Sequence, residues 1–176
     1  MTCVIAMREP GSAVIHMAAD RAISGNNLVS LGGKKLVKFP SGLLVGFAGL
    51  LATQNIMVTR TELAGVDLAD PLSIRLLFEG FRVVAAYALP SAPAQTAGAE
   101  MLLAMRGTLV YMGNLAGWYR VPEDVKVIGD GGLVALGSWH ASSALPPSER
   151  LKRAIEAAAF FMPAIVSKES DYDQTP

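Results

Sequence analysis

Three residues near the start of the chain have side chains that together could perform nucleophilic chemistry: Thr2, Asp20 and Lys35. A threonine hydroxyl is a poor nucleophile and needs a base close by. Once Met1 is removed, the α-amine of Thr2 can be that base, and its reference pKa is about 7.7–8.0. A neighbouring lysine ammonium would lower this pKa by like-charge repulsion. These residues therefore predict a hydrolase whose nucleophile and base both belong to Thr2.

The remaining parts of such a site are a partner for the lysine and donors for the developing oxyanion. Asp20 would keep Lys35 charged and oriented. Residues 46–49 (GFAG) stand at a predicted strand-to-helix junction, where backbone N–H groups and the helix dipole can stabilise negative charge. Each residue alone is a weak signal, since a charge at a strand end is usually solvated surface. The hypothesis therefore depends on whether the fold brings them together.

The elements at the start of the chain favour that arrangement. Residues 2–7 and 13–19 are short apolar runs separated by the turn Glu9-Pro10-Gly11, a pattern typical of a hairpin of buried strands. In such a hairpin Thr2 and Asp20 lie at the same end. A glycine-rich connection is predicted over residues 22–33. A second strand pair follows over residues 35–39 and 43–48, and the beginning of this pair can reach the same end.

The rest of the chain alternates pairs of helices with strands. Helices are predicted over residues 50–63 and 70–89, and the second opens on Asp70-Pro71, a cap residue followed by a proline. Residues 91–98 predict a loop, and residues 167–176 a frayed tail. Later strands are predicted over residues 101–105, 108–112 and 125–128, and later helices over residues 133–145 and 147–163. This order predicts a single α+β domain over residues 1–176, with two antiparallel sheets between helix pairs.

Composition narrows the class of protein. Fifteen Lys and Arg residues balance fifteen Asp and Glu residues, which argues against a nucleic-acid or anionic-membrane partner. Hydrophobic residues make up 52% of the chain and charged residues 17%, whereas about 25% charged is usual. The longest apolar runs, residues 43–52 and 83–90, fall short of the ~20 residues of a spanning helix. We therefore expect the apolar excess to be buried between subunits of a homo-oligomer.

Cysteine and histidine usage points away from metals and disulfides. A single cysteine excludes an intramolecular disulfide and fits a reducing cytoplasm, and the start of the chain lacks a signal-peptide pattern. Cys3, His16 and His140 are too far apart in sequence to suggest a zinc site, so no metal or cofactor is expected. Cys3 and His16 both fall within predicted strands, where core packing is the simpler interpretation.

Four segments resemble the proteasome β-subunit family. They are residues 2–8 (TCVIAMR), 18–20 (AAD), 34–36 (KKL) and 46–49 (GFAG), which occur there in the same order and at similar spacing. Residues 125–132 (VKVIGDGG), before a predicted helix, are similar to that family's strand–glycine–helix element. The likeness is greatest to the bacterial proteasome-like protease that partners an unfoldase ATPase.

The resemblance implies an N-terminal-nucleophile hydrolase with a four-layer αββα fold and threonine endopeptidase activity. It also implies a ring-shaped homo-oligomer, peptide or unfolded-protein substrates, and a possible AAA+ unfoldase partner. Matched to the family's motifs, Thr2 is the nucleophile, Asp20 the acidic partner and Gly49 the oxyanion-hole glycine. Lys35 is the active-site lysine, with its neighbour Lys34 as the fallback.

Two features depart from the family pattern. Asp130 stands where the family usually has serine, and its carboxylate could hold the free α-amine of Thr2 or cap the helix that begins near Gly132. Leu50-Leu51 is bulkier than the family's small residues there and would alter the substrate cleft. Two alternatives remain open: an amidohydrolase of the same fold that acts on a small amide, and an inactive structural subunit.

Overall fold

The computed structural model describes residues 2–25, 28–31, 33–49, 51–87, 99–113, 116–162 and 170–176. The strands in these ranges are β1 (Val4–Arg8), β2 (Ile15–Asp20), β3 (Ala22–Gly25), β4 (Leu28–Leu31), β5 (Leu36–Lys38), β6 (Leu44–Ala48), β7 (Glu100–Met105), β8 (Thr108–Gly113), β9 (Gly117–Arg120), β10 (Val125–Ile128) and β11 (Ser170–Gln174). The helices are α1 (Leu51–Val58), α2 (Thr61–Ala64), α3 (Pro71–Tyr87), α4 (Gly132–Ala141) and α5 (Pro147–Phe161).

The first sheet has the order β10-β1-β2-β11, with antiparallel pairs throughout. The predicted hairpin is confirmed as β1 and β2, in the register that pairs Val4 with Ala19. The predicted frayed tail is wrong for Ser170–Gln174, which forms β11 against β2. The polar sequence of this edge strand gives no apolar pattern from which to predict it. Side-chain contacts help to hold it, since the Tyr172 hydroxyl lies 2.6 Å from Nδ1 of His16.

The second sheet has the order β5-β6-β7-β8-β9 and is also antiparallel. The strands predicted over residues 35–39, 43–48, 101–105 and 108–112 are confirmed, with small shifts at their ends. Strand β9 was not predicted, because it is only four residues long and begins at a glycine. The connection predicted over residues 22–33 is wrong in part, since β3 and β4 pair there with each other.

The helices follow the predicted pattern with one break. The helix predicted over residues 50–63 is two helices, α1 and α2, separated at Thr59, whose hydroxyl donates to the Ile56 carbonyl at 2.8 Å. The start predicted for α3 is confirmed, because the Asp70 carboxylate accepts from the amides of Leu72 and Ser73, both at 3.0 Å. Helix α4 ends at Ala141, before the predicted end, and the loop predicted over residues 91–98 lies outside the described residues.

Three apolar clusters define the layers. Side chains from both sheets, among them Met17, Leu102 and Ile128, pack between the sheets. A second cluster joins the five-stranded sheet to α1–α3, and a third joins the four-stranded sheet to α4 and α5. The predicted αββα sandwich is therefore confirmed. No helix in the described part of the chain is both long and apolar enough to cross a membrane.

Candidate active site

A buried ion pair lies at one end of the sandwich, where β2 ends and β5 begins. Nζ of Lys35 donates to Oδ1 of Asp20 at 2.8 Å and to Oδ2 at 2.9 Å. Asp20 is fully buried and Lys35 is 6% exposed. The same carboxylate accepts from the backbone amides of Cys3 and Ala22, at 2.8 and 2.9 Å. These bonds compensate the buried negative charge and fix the ammonium in one place.

The pair is tied directly to the start of β1. Besides the bond from the Cys3 amide to the Asp20 carboxylate, the Asp20 amide donates to the Cys3 carbonyl at 3.1 Å. The hairpin is therefore extended by one residue pair beyond Val4 and Ala19. Thr2 precedes Cys3, and Thr2 is itself buried at 3% exposure. The fold thus brings together the three residues that the sequence singled out.

The two lysines of the Lys34-Lys35 pair have different surroundings. Burial lowers the pKa of Lys35, and the Asp20 carboxylate opposes that change by favouring the ammonium. The side chain of Lys34 is exposed, and its backbone carbonyl accepts a hydrogen bond from the side chain of Gln54. Lys35 is therefore the lysine that contacts Asp20.

Cys3 lies in the apolar core and not in the site. Its side chain packs with the cluster between the four-stranded sheet and helices α4 and α5. Burial, with a smaller effect from Asp20, raises the pKa of its thiol to about 12. The thiol is therefore protonated at neutral pH and unsuited to nucleophilic attack, which agrees with the core interpretation made from the sequence.

The glycine turn after β10 closes over the backbone of Thr2. The Gly131 amide donates to the Thr2 carbonyl at 3.2 Å. Gly129 has a φ of +82°, and a Cβ built there would overlap the Thr2 carbonyl oxygen and lie 2.8 Å from its carbon. It would also lie 3.4 Å from Cβ of Ala48. Gly129 therefore sits between Thr2 on one sheet and the end of β6 on the other.

Gly49 follows β6 at the same end of the sandwich. It is exposed and has a φ of +112°, a conformation that a residue with a side chain rarely adopts. The strand before it is anchored to the lysine, because the Phe47 amide donates to the Lys35 carbonyl at 2.9 Å. Leu51, the first residue of α1, is partly exposed beside it at 39%, and Leu50 lies outside the described residues.

Asp130 has an exposed side chain on the same glycine turn. The N-cap of α4 is Gly131, and no side chain caps this helix, so the capping interpretation of Asp130 is wrong. The Asp130 carboxylate makes no hydrogen bond with the described part of the chain.

Two polar residues near the site, Glu100 and Tyr111, were not predicted from the sequence. Glu100, the first residue of β7, accepts from the Tyr111 hydroxyl at 2.8 Å and from the Gly129 amide at 3.0 Å. The signal available was a lone carboxylate at the start of an otherwise apolar strand. One partner lies on the neighbouring strand β8 and the other in the turn after β10, and the sequence does not show that these segments meet Glu100.

Gly129→Ala tests how tightly the glycine turn holds Thr2. We expect the free energy of unfolding to fall by about 3 kcal/mol, because the new Cβ meets the Thr2 carbonyl and alanine is strained at positive φ. Urea denaturation measures the change. Gly137→Ala in α4 is the matched control, since a Cβ there meets no neighbouring atom within 4 Å in the described part of the chain. The free energy of unfolding of this variant should rise by about 0.5–1 kcal/mol. Equal stability of the two variants would contradict the close contact at Gly129.

Comparison with known proteins gives independent support for the fold. No protein-family profile matches the sequence, and no curated protein matches it. Among solved structures, Thiobacillus denitrificans BPH is 16% identical, with 99% of this chain and 97% of that chain covered and a TM-score of 0.78. The same protein in complex with epoxomicin matches at 16% identity, 99% and 98% coverage and a TM-score of 0.77.

Eukaryotic HslV from Trypanosoma brucei is 14% identical, with 98% of both chains covered and a TM-score of 0.70. At these identities the likeness establishes the fold alone. The chain shares its fold with Trypanosoma brucei HslV and Thiobacillus denitrificans BPH, and this fold is the αββα sandwich that the sequence resemblance implied.

Proposed function

We propose that the chain is a threonine-type peptidase subunit whose nucleophile is the hydroxyl of Thr2 after Met1 has been removed. The observation that carries the proposal is the buried Asp20–Lys35 pair, hydrogen-bonded to the backbone beside Thr2. Burying a charged pair costs free energy, and such pairs are often found at functional sites, so this pair beside a buried threonine supports a catalytic role. The shared fold with HslV and BPH adds support.

The reaction would begin with proton transfer within Thr2. Its α-amine accepts the proton of its own hydroxyl, and the oxygen attacks the carbonyl carbon of the substrate peptide. The nearby Lys35 ammonium disfavours a protonated amine, so more of the free base is present at neutral pH. Asp20 has the supporting task of keeping this lysine charged and in place.

The tetrahedral intermediate then needs stabilisation of its oxyanion. The backbone after β6 is proposed to supply the donor at Gly49, since this residue stands between the strand and α1. Collapse of the intermediate breaks the peptide bond: the amine product leaves with a proton, and an ester to Thr2 remains. Water activated by the same α-amine hydrolyses the ester and regenerates the hydroxyl.

Asp130 is proposed to orient the α-amine. Its carboxylate lies on the turn whose Gly131 amide holds the Thr2 carbonyl, and it has no other hydrogen-bond partner in the described part of the chain. A carboxylate here accepts a hydrogen bond from the amine, in the position where the family usually has a serine hydroxyl. It also favours protonation of the amine, opposing Lys35, so the two charges together set its pKa.

A homo-oligomeric ring that encloses the sites is the proposed assembly, with unfolded chains as substrates and an AAA+ unfoldase as a possible partner. Its support is the apolar surface of the single chain. Helix α3 exposes apolar side chains at helical spacing on one face, where a second subunit can cover them. They are Leu72, Leu76, Val83 and Tyr87.

One experiment tests activity and assembly together. The purified protein is separated by size, and each fraction is assayed with fluorogenic peptides. We expect peptide cleavage in a particle of about six or more subunits. Cleavage of only a small amide by a monomer or dimer would instead identify the amidohydrolase. A large particle that has lost Met1 and hydrolyses nothing would identify a structural subunit.

A further inference from the structure

Glu100 links the two sheets at the end where the candidate site lies. Its Oε1 accepts from the hydroxyl of Tyr111, on the neighbouring strand of the five-stranded sheet, at 2.8 Å. Its Oε2 accepts from the amide of Gly129, which follows β10 of the four-stranded sheet, at 3.0 Å. One half-buried carboxylate therefore connects groups from both sheets.

The two ends of this link adjoin the groups proposed for catalysis. Gly129 lies against the Thr2 carbonyl, and the Gly131 amide of the same turn donates to that carbonyl. On the other sheet, Glu100 is the direct cross-strand partner of Ala48, the residue before Gly49. The proposed nucleophile and the proposed oxyanion donor stand on different sheets, so their separation depends on how the sheets are held together.

We propose that Glu100 is a positioning residue, which holds the Gly129 turn and Thr2 in register with the strand that carries Gly49. The inference rests on the proposed function, because it assigns Glu100 a task in that site. Glu100 itself touches neither the substrate nor the reacting atoms. Its effect passes through the turn, and a displacement of about 1 Å there is enough to slow a reaction markedly.

Tyr111 fixes the orientation of the Glu100 carboxylate. Burial and the nearby Glu100 raise the pKa of the Tyr111 hydroxyl, so it stays protonated and donates. The absence of a side chain at Gly113 makes room for it, since a Cβ there would lie 3.0 Å from Cζ of Tyr111. From the opposite sheet, Nζ of Lys126 lies 4.9 Å from the centre of the same ring. The carboxylate is thus held by a tyrosine whose own position is constrained by its neighbours.

The test compares Glu100→Ala with Glu100→Gln in the full-length protein. Amide hydrogen exchange of peptides that span residues 129–131 reports the turn, and peptide hydrolysis reports the site. In Glu100→Ala we expect exchange in this segment to rise by about tenfold or more, because the Gly129 amide loses its acceptor. We expect kcat to fall by about 10- to 100-fold while KM changes by less than about threefold.

Glu100→Gln keeps an acceptor oxygen for Gly129 and a polar partner for Tyr111, so it should restore exchange and kcat to within about threefold of wild type. Glu156→Ala is the matched control, because Glu156 is an exposed glutamate on α5 that pairs with Lys152, and its loss should change neither measurement.

Unchanged exchange in Glu100→Ala would overturn the proposal, as would faster exchange with an unchanged kcat. Failure of the proposed function has a different signature: the wild-type protein itself would not hydrolyse peptides. The exchange comparison would still show in that case whether Glu100 holds the turn.

Discussion

Thr2→Ala is expected to lose peptide hydrolysis by a factor on the order of 10³ or more, because it removes the only oxygen proposed to attack the substrate. The backbone around it should be unaffected. The Gly131 amide binds the Thr2 carbonyl, and the Asp20 carboxylate binds the amide of Cys3, so the Thr2 side chain supports neither contact. The measurement is initial-rate hydrolysis of a fluorogenic peptide, together with a melting temperature that should match wild type.

Thr2→Ser is the control that separates loss of the nucleophile from damage to the site. Serine keeps a hydroxyl on the residue that carries the α-amine, so we expect hydrolysis to persist within about tenfold of wild type. Alanine, serine and threonine are all small, and each permits removal of Met1, so the N-terminus is matched among the three proteins. Equal rates for Thr2→Ala and the wild-type protein would refute the assignment of Thr2.

Lys35→Met is expected to have the second large effect, on both stability and rate. It removes one partner of a buried ion pair and leaves the Asp20 carboxylate without its two bonds to the ammonium. Breaking such a pair costs about 3–5 kcal/mol. Peptide hydrolysis should fall by about 100-fold or more, because the α-amine of Thr2 loses the charge that lowers its pKa. Denaturant titration and rates measured well below the unfolding transition give the two quantities.

Two further variants separate stability from catalysis in this experiment. Lys34→Met changes the exposed neighbour and should alter stability by no more than about 0.5 kcal/mol. The double variant Asp20→Asn with Lys35→Met neutralises the pair, so it should regain part of the lost stability and yet remain inactive. Wild-type activity in the double variant would show that Lys35 has no part in the reaction.

Much of the site is predictable from sequence because the elements that carry it are local. The turn Glu9-Pro10-Gly11 between two apolar runs specifies a hairpin, and a hairpin necessarily places Thr2 and Asp20 at one end. Lys35 directly precedes the next strand pair, and its side chain is buried whereas that of Lys34 is exposed. Solidly apolar strands also indicate that helices cover both outer faces of the sheets, as the three apolar clusters confirm.

The missed features depend on contacts between distant segments. Strand β11 is polar in sequence, and it pairs along its length with β2. The side chains of Tyr172 and of Thr175, which follows the strand, contact His16 and Ile15 of β2. Glu100 is held by Tyr111 and by Gly129, which follows a strand of the opposite sheet. Asp130 does not cap α4, because the helix begins after Gly131, and a glycine-rich turn offers no periodicity from which to place that boundary.

The most direct test is the intact mass, with fragmentation of the N-terminus, of the protein fraction that cleaves peptides. We predict a chain that lacks Met1 and begins at Thr2. A chain that cleaves peptides while it still carries Met1 would contradict the assignment of Thr2 as the N-terminal nucleophile.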